Sequence, residues 1–265
     1  MSLYTNRATV SLINIINEMY AKGIENARLI KASSLLLESG LSPTCISKDI
    51  ITNSLSKQFD DGGYIGCGDT MFNALFLSHY KDFSNYEERA LEWLSKSMNK
   101  DGGWGRSPRD ISRIPVTGLV LTFYPRLANP QNLNWLERAW DKEQKSLTYK
   151  AAYTLSAFSK TGYIPLNKIL IKNTIDWLIS QQEDNGGFGP WREHPKGPDV
   201  ICTSIAILGL LSFDAENHKE SIIKAYDYLC KTQLDSGIWP YHEIDDGSSW
   251  GLYALTKVES FLRLT

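Results

Sequence analysis

Several things are missing from this chain of 265 residues, and each absence removes a class of function. There is no basic excess, since 28 Lys and Arg stand against 30 Asp and Glu for a net charge of −2. Nucleic acid is not an expected partner, because no basic stripe supplies the attraction that a phosphate backbone demands. Cysteine is scarce. Cys45, Cys67, Cys202 and Cys230 form neither a CxxC pair nor a dense framework, which suits a reducing cytoplasm better than secretion. Long hydrophobic runs are also lacking. The apolar stretch from Val10 to Ile16 is broken by polar neighbours, so no signal peptide and no transmembrane segment is expected. The glycine-rich nucleotide fingerprint, the Walker loop, His-Glu-x-x-His and Gly-x-Ser-x-Gly do not occur.

What the chain does have is a spaced motif that recurs four times: Gln (once Met), Gly four residues later, and an aromatic two residues beyond. The copies are Gln58…Gly62…Tyr64, Met98…Gly102…Trp104, Gln182…Gly186…Phe188 and Gln233…Gly237…Trp239. The glycines are 40, 84 and 51 residues apart, and the double step places one decayed copy near Trp140 to Gln144. A fixed period of this length is the signature of a repeat architecture. The similarity runs upstream too, through Arg89-Ala90…Trp93-Leu94, Asn173-Thr174…Trp177-Leu178 and Lys224-Ala225…Tyr228-Leu229. Each unit therefore ends a helix, turns through Gly, and starts another.

Hydrophobic periodicity predicts helices near 7–22, 26–39, 45–58, 69–80, 86–98, 112–125, 132–144, 147–160, 167–182, 200–213, 218–232 and 248–263. Some are amphipathic, such as 86–98, where Leu91, Leu94 and Met98 share a face. Others, at 70–79, 116–124 and 201–213, are apolar for most of their length, as helices shielded from solvent are. Six such hairpins side by side close on themselves, with apolar helices inside and amphipathic ones outside. The expected fold is all-α, an (α/α)6 toroid formed as a single domain over residues 1–265.

The repeat resembles that of squalene cyclases, class II diterpene cyclases and protein prenyltransferase β subunits, over roughly residues 45–265. The resemblance implies that Gln58, Gln182, Gln233, Trp104, Phe188 and Trp239 tie neighbouring helices together and are scaffold. Function then belongs to the inner helices. Phe72, Tyr149, Tyr153, Trp250 and Tyr253 either line an apolar cavity suited to a long hydrocarbon or simply fill the barrel. If they line it, their ring faces also stabilise cations.

Class II cyclases carry Asp-x-Asp-Asp-Thr where this chain has Asp199-Val200-Ile201-Cys202-Thr203. Asp199 and Thr203 match, but Ile201 and Cys202 occupy the remaining acid positions, so the usual proton donor is missing. Replacement acids are Asp246 and Asp245, then Asp69; Asp69 and Asp246, like Asp199, also sit where a helix start favours Asp as a cap. Prenyltransferase β subunits carry a zinc-binding Asp and Cys in the same segment. That likeness offers Asp199, Cys202 and His242 as a strained zinc set; the Asp-rich magnesium motifs of ionising terpene synthases are absent unless Asp245-Asp246 is a remnant, and neither metal is favoured. Two basic clusters, Arg106, Arg109 and Arg113 and then Arg192, His194 and Lys196, fall on loops that lead to inner helices, where a diphosphate head would bind.

The resemblance thus implies an isoprenoid cyclase-like enzyme, of isomerase or lyase type, with Asp199, Asp246 and Asp245 as catalytic candidates. Phe72, Tyr149, Tyr153, Cys202, Thr203, Trp250, Tyr253, Arg113 and Lys196 are the substrate-binding candidates. A prenyl diphosphate transferase with zinc and a non-catalytic toroid that binds lipid or protein are the alternatives. The expected partner is a hydrophobic isoprenoid or lipid-like small molecule, with peripheral membrane contact left open.

Overall fold

The computed structural model describes residues 2–264; Met1 and Thr265 of the expected domain lie outside the described residues. The described residues form twelve α-helices: α1 (Leu3–Ala21), α2 (Asn26–Glu38), α3 (Lys48–Ser56), α4 (Cys67–Leu77), α5 (Ser84–Lys96), α6 (Ile114–Phe123), α7 (Pro130–Glu143), α8 (Thr148–Thr161), α9 (Leu170–Ser180), α10 (Val200–Leu211), α11 (Lys219–Thr232) and α12 (Ile244–Leu264). The even-numbered helices pack side by side in the cyclic order α2–α4–α6–α8–α10–α12–α2. The odd-numbered helices run outside them and return the chain after each inner helix. All six inner helices therefore run in one direction, and the expected (α/α)6 toroid is what the chain forms.

The division into rings follows from side chains. Along α10, Val200, Cys202, Thr203, Ile205, Ala206, Ile207 and Leu210 are all buried, whereas α5 buries only Ala90, Leu91 and Leu94 and leaves its charged face in water. Among the described residues, no helix is long and apolar enough to cross a membrane.

The repeated residues hold the outer ring together, as the resemblance implied. Gln58 Nε2 donates to the Tyr86 carbonyl at 2.9 Å, Gln182 Nε2 to that of Ser221 at 2.9 Å, and Gln233 Nε2 to that of Tyr4 at 3.1 Å. The last of these joins the C-terminal unit to the first helix and closes the toroid. Each motif glycine has a positive φ, from 87° to 104°, and a Cβ there would lie 2.3 to 2.6 Å from a carbonyl oxygen of the next outer helix. Only glycine satisfies both conditions. The aromatics turn inward: Tyr64 donates to the Ser54 carbonyl, Trp104 to that of Leu94 and Trp239 to that of Leu229.

Several boundaries differ from the sequence expectation by two to four residues. α1 begins at Leu3 and α9 at Leu170. More important for chemistry, α4 begins at Cys67 and α12 at Ile244, so Asp69, Asp245 and Asp246 lie in first turns and not at N-cap positions. The decayed copy is a shortened turn after α7, in which Lys145 carries a positive φ of 65°.

Candidate functional site

Because the inner helices are parallel, the toroid has two unlike mouths. One collects their N-termini and the other their C-termini. Between them five aromatic rings form a belt: Phe72 of α4, Phe123 of α6, Tyr253 and Trp250 of α12, and Tyr153 of α8, with successive centroids 6.1 to 6.3 Å apart. The rings come from four helices at matched depth, which is why no local sequence pattern reveals the belt.

The N-terminal mouth is ionic. Asp199 caps α10, accepting from the Cys202 amide at 2.8 Å. Asp245 is buried and holds Arg28 of α2 through both carboxylate oxygens, Arg28 Nε lying 3.3 Å from Oδ2. Lys31 Nζ lies 2.8 Å from Asp246 Oδ1. Asp69 is the rim carboxyl whose pKa is raised, first by burial and then by the nearby Glu25, with Lys31 opposing. Arg28 and Lys31 were not singled out from sequence, because α2 lies upstream of the first motif and carries no repeat signal.

Other expected site residues at this mouth have structural duties. Thr203 is buried, and its hydroxyl accepts from the Phe188 amide at 2.9 Å; Thr70 and Thr117 serve Tyr64 and Trp104 in the same way. The Cys202 thiol is pushed well up by burial and by Asp199, which leaves it inert at neutral pH. Arg113 is bound to Asp110 by two hydrogen bonds of 2.7 and 3.0 Å, and this pairing holds the Asp110 carboxyl well below its ordinary range. Arg192 pairs with Asp184 at 3.2 Å, and Lys196 is exposed on the loop before α10. Tyr149 is half-buried, its phenol raised by burial and by Cys202.

Zinc or magnesium needs converging donors, and no group of three or more His, Cys, Asp or Glu side chains suited to a metal occurs among the described residues. His242 instead packs its ring 4.2 Å from that of Tyr241. The residues present do not fit the zinc set drawn from Asp199, Cys202 and His242.

The open volume lies at the other mouth. A cavity of about 530 Å³ is bounded by the middle and C-terminal turns of α8, α10 and α12 and the C-terminal end of α6. Its floor is the belt, through Phe123, Tyr153, Trp250 and Tyr253, and its walls include Ile205, Leu208 and Phe261. Of the expected lining residues, Tyr153, Trp250 and Tyr253 face this space, whereas Phe72 faces a smaller hollow beside Asp69. The aromatics therefore both fill and line: they seal the middle and floor a cavity on one side. Lys160 and Lys257 stand among the lining residues with several hydroxyls, and no carboxylate does. A family model of the prenyltransferase alpha-alpha toroid domain matches residues 64–134 and 129–263.

The chain belongs to this toroid family. Among family relatives, squalene–hopene cyclase of Zymomonas mobilis subsp. mobilis is 21% identical over 204 residues, which are 60% of this chain and 30% of the cyclase. The chain spans no more than 30% of the length of the curated relatives it matches. The type II terpene cyclase MstE from Scytonema superposes with a TM-score of 0.69 at 12% identity, over 98% of this chain and 99% of that one. An R337A variant of MstE, in complex with geranylgeranyl dihydroxybenzoate, gives 0.67 at 12% identity over 98% and 99%. At this identity the likeness establishes the toroid fold.

Proposed function

We propose that this toroid is an isoprenoid cyclase-like enzyme that binds a prenyl chain in the C-terminal cavity, its tail against the aromatic belt. The observation that carries this reading is the cavity itself. Its volume of about 530 Å³ falls within the roughly 300–1,000 Å³ usual for small-molecule sites. Its lining is mostly apolar, with Phe123, Ile205, Leu208, Leu211, Trp250 and Phe261 facing the space. Four ring faces at its floor suit a carbocation, which an aromatic quadrupole stabilises by about 2 kcal/mol when desolvated. The relatives supply the chemistry, since squalene–hopene cyclase and type II terpene cyclases carry the same fold.

In this reading the tail passes between the belt rings to the rim, where a carboxylic acid adds its proton to a terminal alkene carbon. The adjacent carbon becomes a cation, a second alkene closes the ring, and loss of a proton returns the acid. Burial raises the Asp69 pKa, which suits it to hold a proton, and it lies one turn before Phe72 of the belt. Asp246 lies one turn before Trp250 and, paired with Lys31, places negative charge behind the rings. Asp199 keeps its capping role, and Asp245 is committed to Arg28.

The test is incubation with prenyl diphosphates of several lengths and with squalene, followed by extraction for hydrocarbons and alcohols. Turnover that falls at least about a hundredfold in Asp69→Asn or Asp246→Asn supports the reading. Asp199→Asn is the control, because Asn caps a helix as well as Asp does. No consumption of any substrate overturns it. One observation favours a second reading, a toroid that binds an isoprenoid without transforming it. The rim acids are separated from the cavity by the belt, and the cavity lining has no carboxyl of its own.

A further inference from the structure

The cavity is apolar at its floor and cationic at its mouth. Lys257 is half-buried on α12, its Nζ donates to the Glu38 carbonyl at 3.1 Å, and it lies 4.7 Å from the centre of the Tyr253 ring. Lys160 is exposed at the end of α8, and no carboxylate lies within ion-pair distance of it among the described residues. Each lysine is close enough for its charge to act on the other, and burial together with Lys160 lowers the Lys257 pKa against the opposing pull of Glu38. Glu38 itself is shared with His79, whose Nε2 lies 3.1 Å away. Two ammonium groups thus stand at a pocket whose own lining has no carboxylate, with Glu38 behind Lys257 as the nearby opposite charge.

A lysine in the last turn of α8 also complements that helix's dipole, which would explain Lys160 alone. Lys257 lies well inside α12, where it has no such role for its own helix, although its bond to the Glu38 carbonyl serves the C-terminus of α2. Nothing in a neutral hydrocarbon would use either charge, and the cost of holding them together falls when an anion arrives. We propose that Lys160 and Lys257 seat the head of the ligand, which is an isoprenoid amphiphile with one anionic end, a carboxylate or a phosphate ester, and not a neutral polyene. This rests on the reading of the cavity as an isoprenoid site. It also moves the head-group seat from the N-terminal rim, where Arg113 is tied to Asp110, to the opposite mouth.

Calorimetric titration of the full chain with farnesyl phosphate, farnesoic acid and farnesol tests the assignment, since the three differ only in the head. One or both anions should bind about tenfold or more tightly than the alcohol, an advantage that shrinks as salt is added. The tighter of the two anions identifies the head. Lys160→Met and Lys257→Met should each reduce that advantage and leave farnesol affinity unchanged. Lys160 is exposed, so its variant is expected to fold even if Lys257→Met does not, and circular dichroism checks both. Equal affinity for all three ligands, an advantage that survives in both folded variants, or no binding at all would overturn the proposal. So would displacement of farnesyl phosphate by equimolar inorganic phosphate. Lysine-dependent binding without turnover removes the cyclase reading and leaves this one. Lysine-independent turnover of squalene does the reverse.

Discussion

The two mouths of the inner ring are built from the same six helices, yet they differ in almost every physical respect. At the N-terminal mouth, carboxylates meet Arg28 and Lys31, Thr203 bonds the Phe188 amide and Asp199 caps α10, so the polar groups there largely satisfy one another. At the C-terminal mouth, rings and aliphatic side chains surround open space, and the two lysines share no carboxylate among the lining residues. The first end spends most of its polar groups on its own architecture and keeps Asp69 as a carboxyl raised by burial. An end with volume and unneutralised charge is prepared for something else.

That contrast can be broken from either side. The largest expected effect is at the belt: Trp250→Ala should lower unfolding free energy by about 3 kcal/mol in denaturant titrations and abolish isoprenoid binding, because Trp250 is both packed and cavity-facing. Next comes Arg28→Met, which strands the buried Asp245 carboxylate. A loss of about 2 kcal/mol is expected, discounted for the part of Arg28 that water reaches, with isoprenoid binding retained.

Asp69→Asn should act in the other direction. Burial raises the Asp69 pKa in the fold, so between its unfolded and folded values the native state holds the extra proton, and stability falls as pH rises through that window. Above that window the whole penalty is present, and below it none. The Asn variant should therefore melt at a higher temperature than the parent above the window, with the gap closing in acid, while turnover falls. The smallest expected effect on stability is that of Lys160→Met, within about 0.5 kcal/mol, although it weakens binding of an anionic isoprenoid. Comparable stability losses for Arg28→Met and Lys160→Met would erase the distinction between the two ends.

Much of the scaffold was legible in the sequence. Gln58, Gly62 and Tyr64 announce a turn and its partners because each does one local job, and the job repeats with every hairpin. Helix periodicity gave the twelve elements for the same reason. The site was less legible. Asp199 and Thr203 attracted attention through the family's motif, but one caps a helix and the other anchors the Phe188 turn. Asp245 and Asp246 read as helix-start residues, whereas α12 begins before them and their partners come from α2, more than two hundred residues away in sequence. Tyr153, Trp250 and Tyr253 were visible as aromatics, but which mouth they face depends on the direction of the inner helices. Lys160 and Lys257 read as ordinary surface lysines, because only ring closure brings α8 and α12 around one opening.

The central claim is that the ligand occupies the C-terminal cavity, and a photoreactive isoprenoid tests it directly. A farnesyl phosphate carrying a diazirine near its tail, irradiated on the protein and mapped by peptide mass spectrometry, should label Ile205, Leu208 or Tyr253, with labelling suppressed by unmodified farnesyl phosphate. Competed labelling confined to Arg28, Lys31 or Asp69 would place the ligand at the ionic mouth and contradict the account.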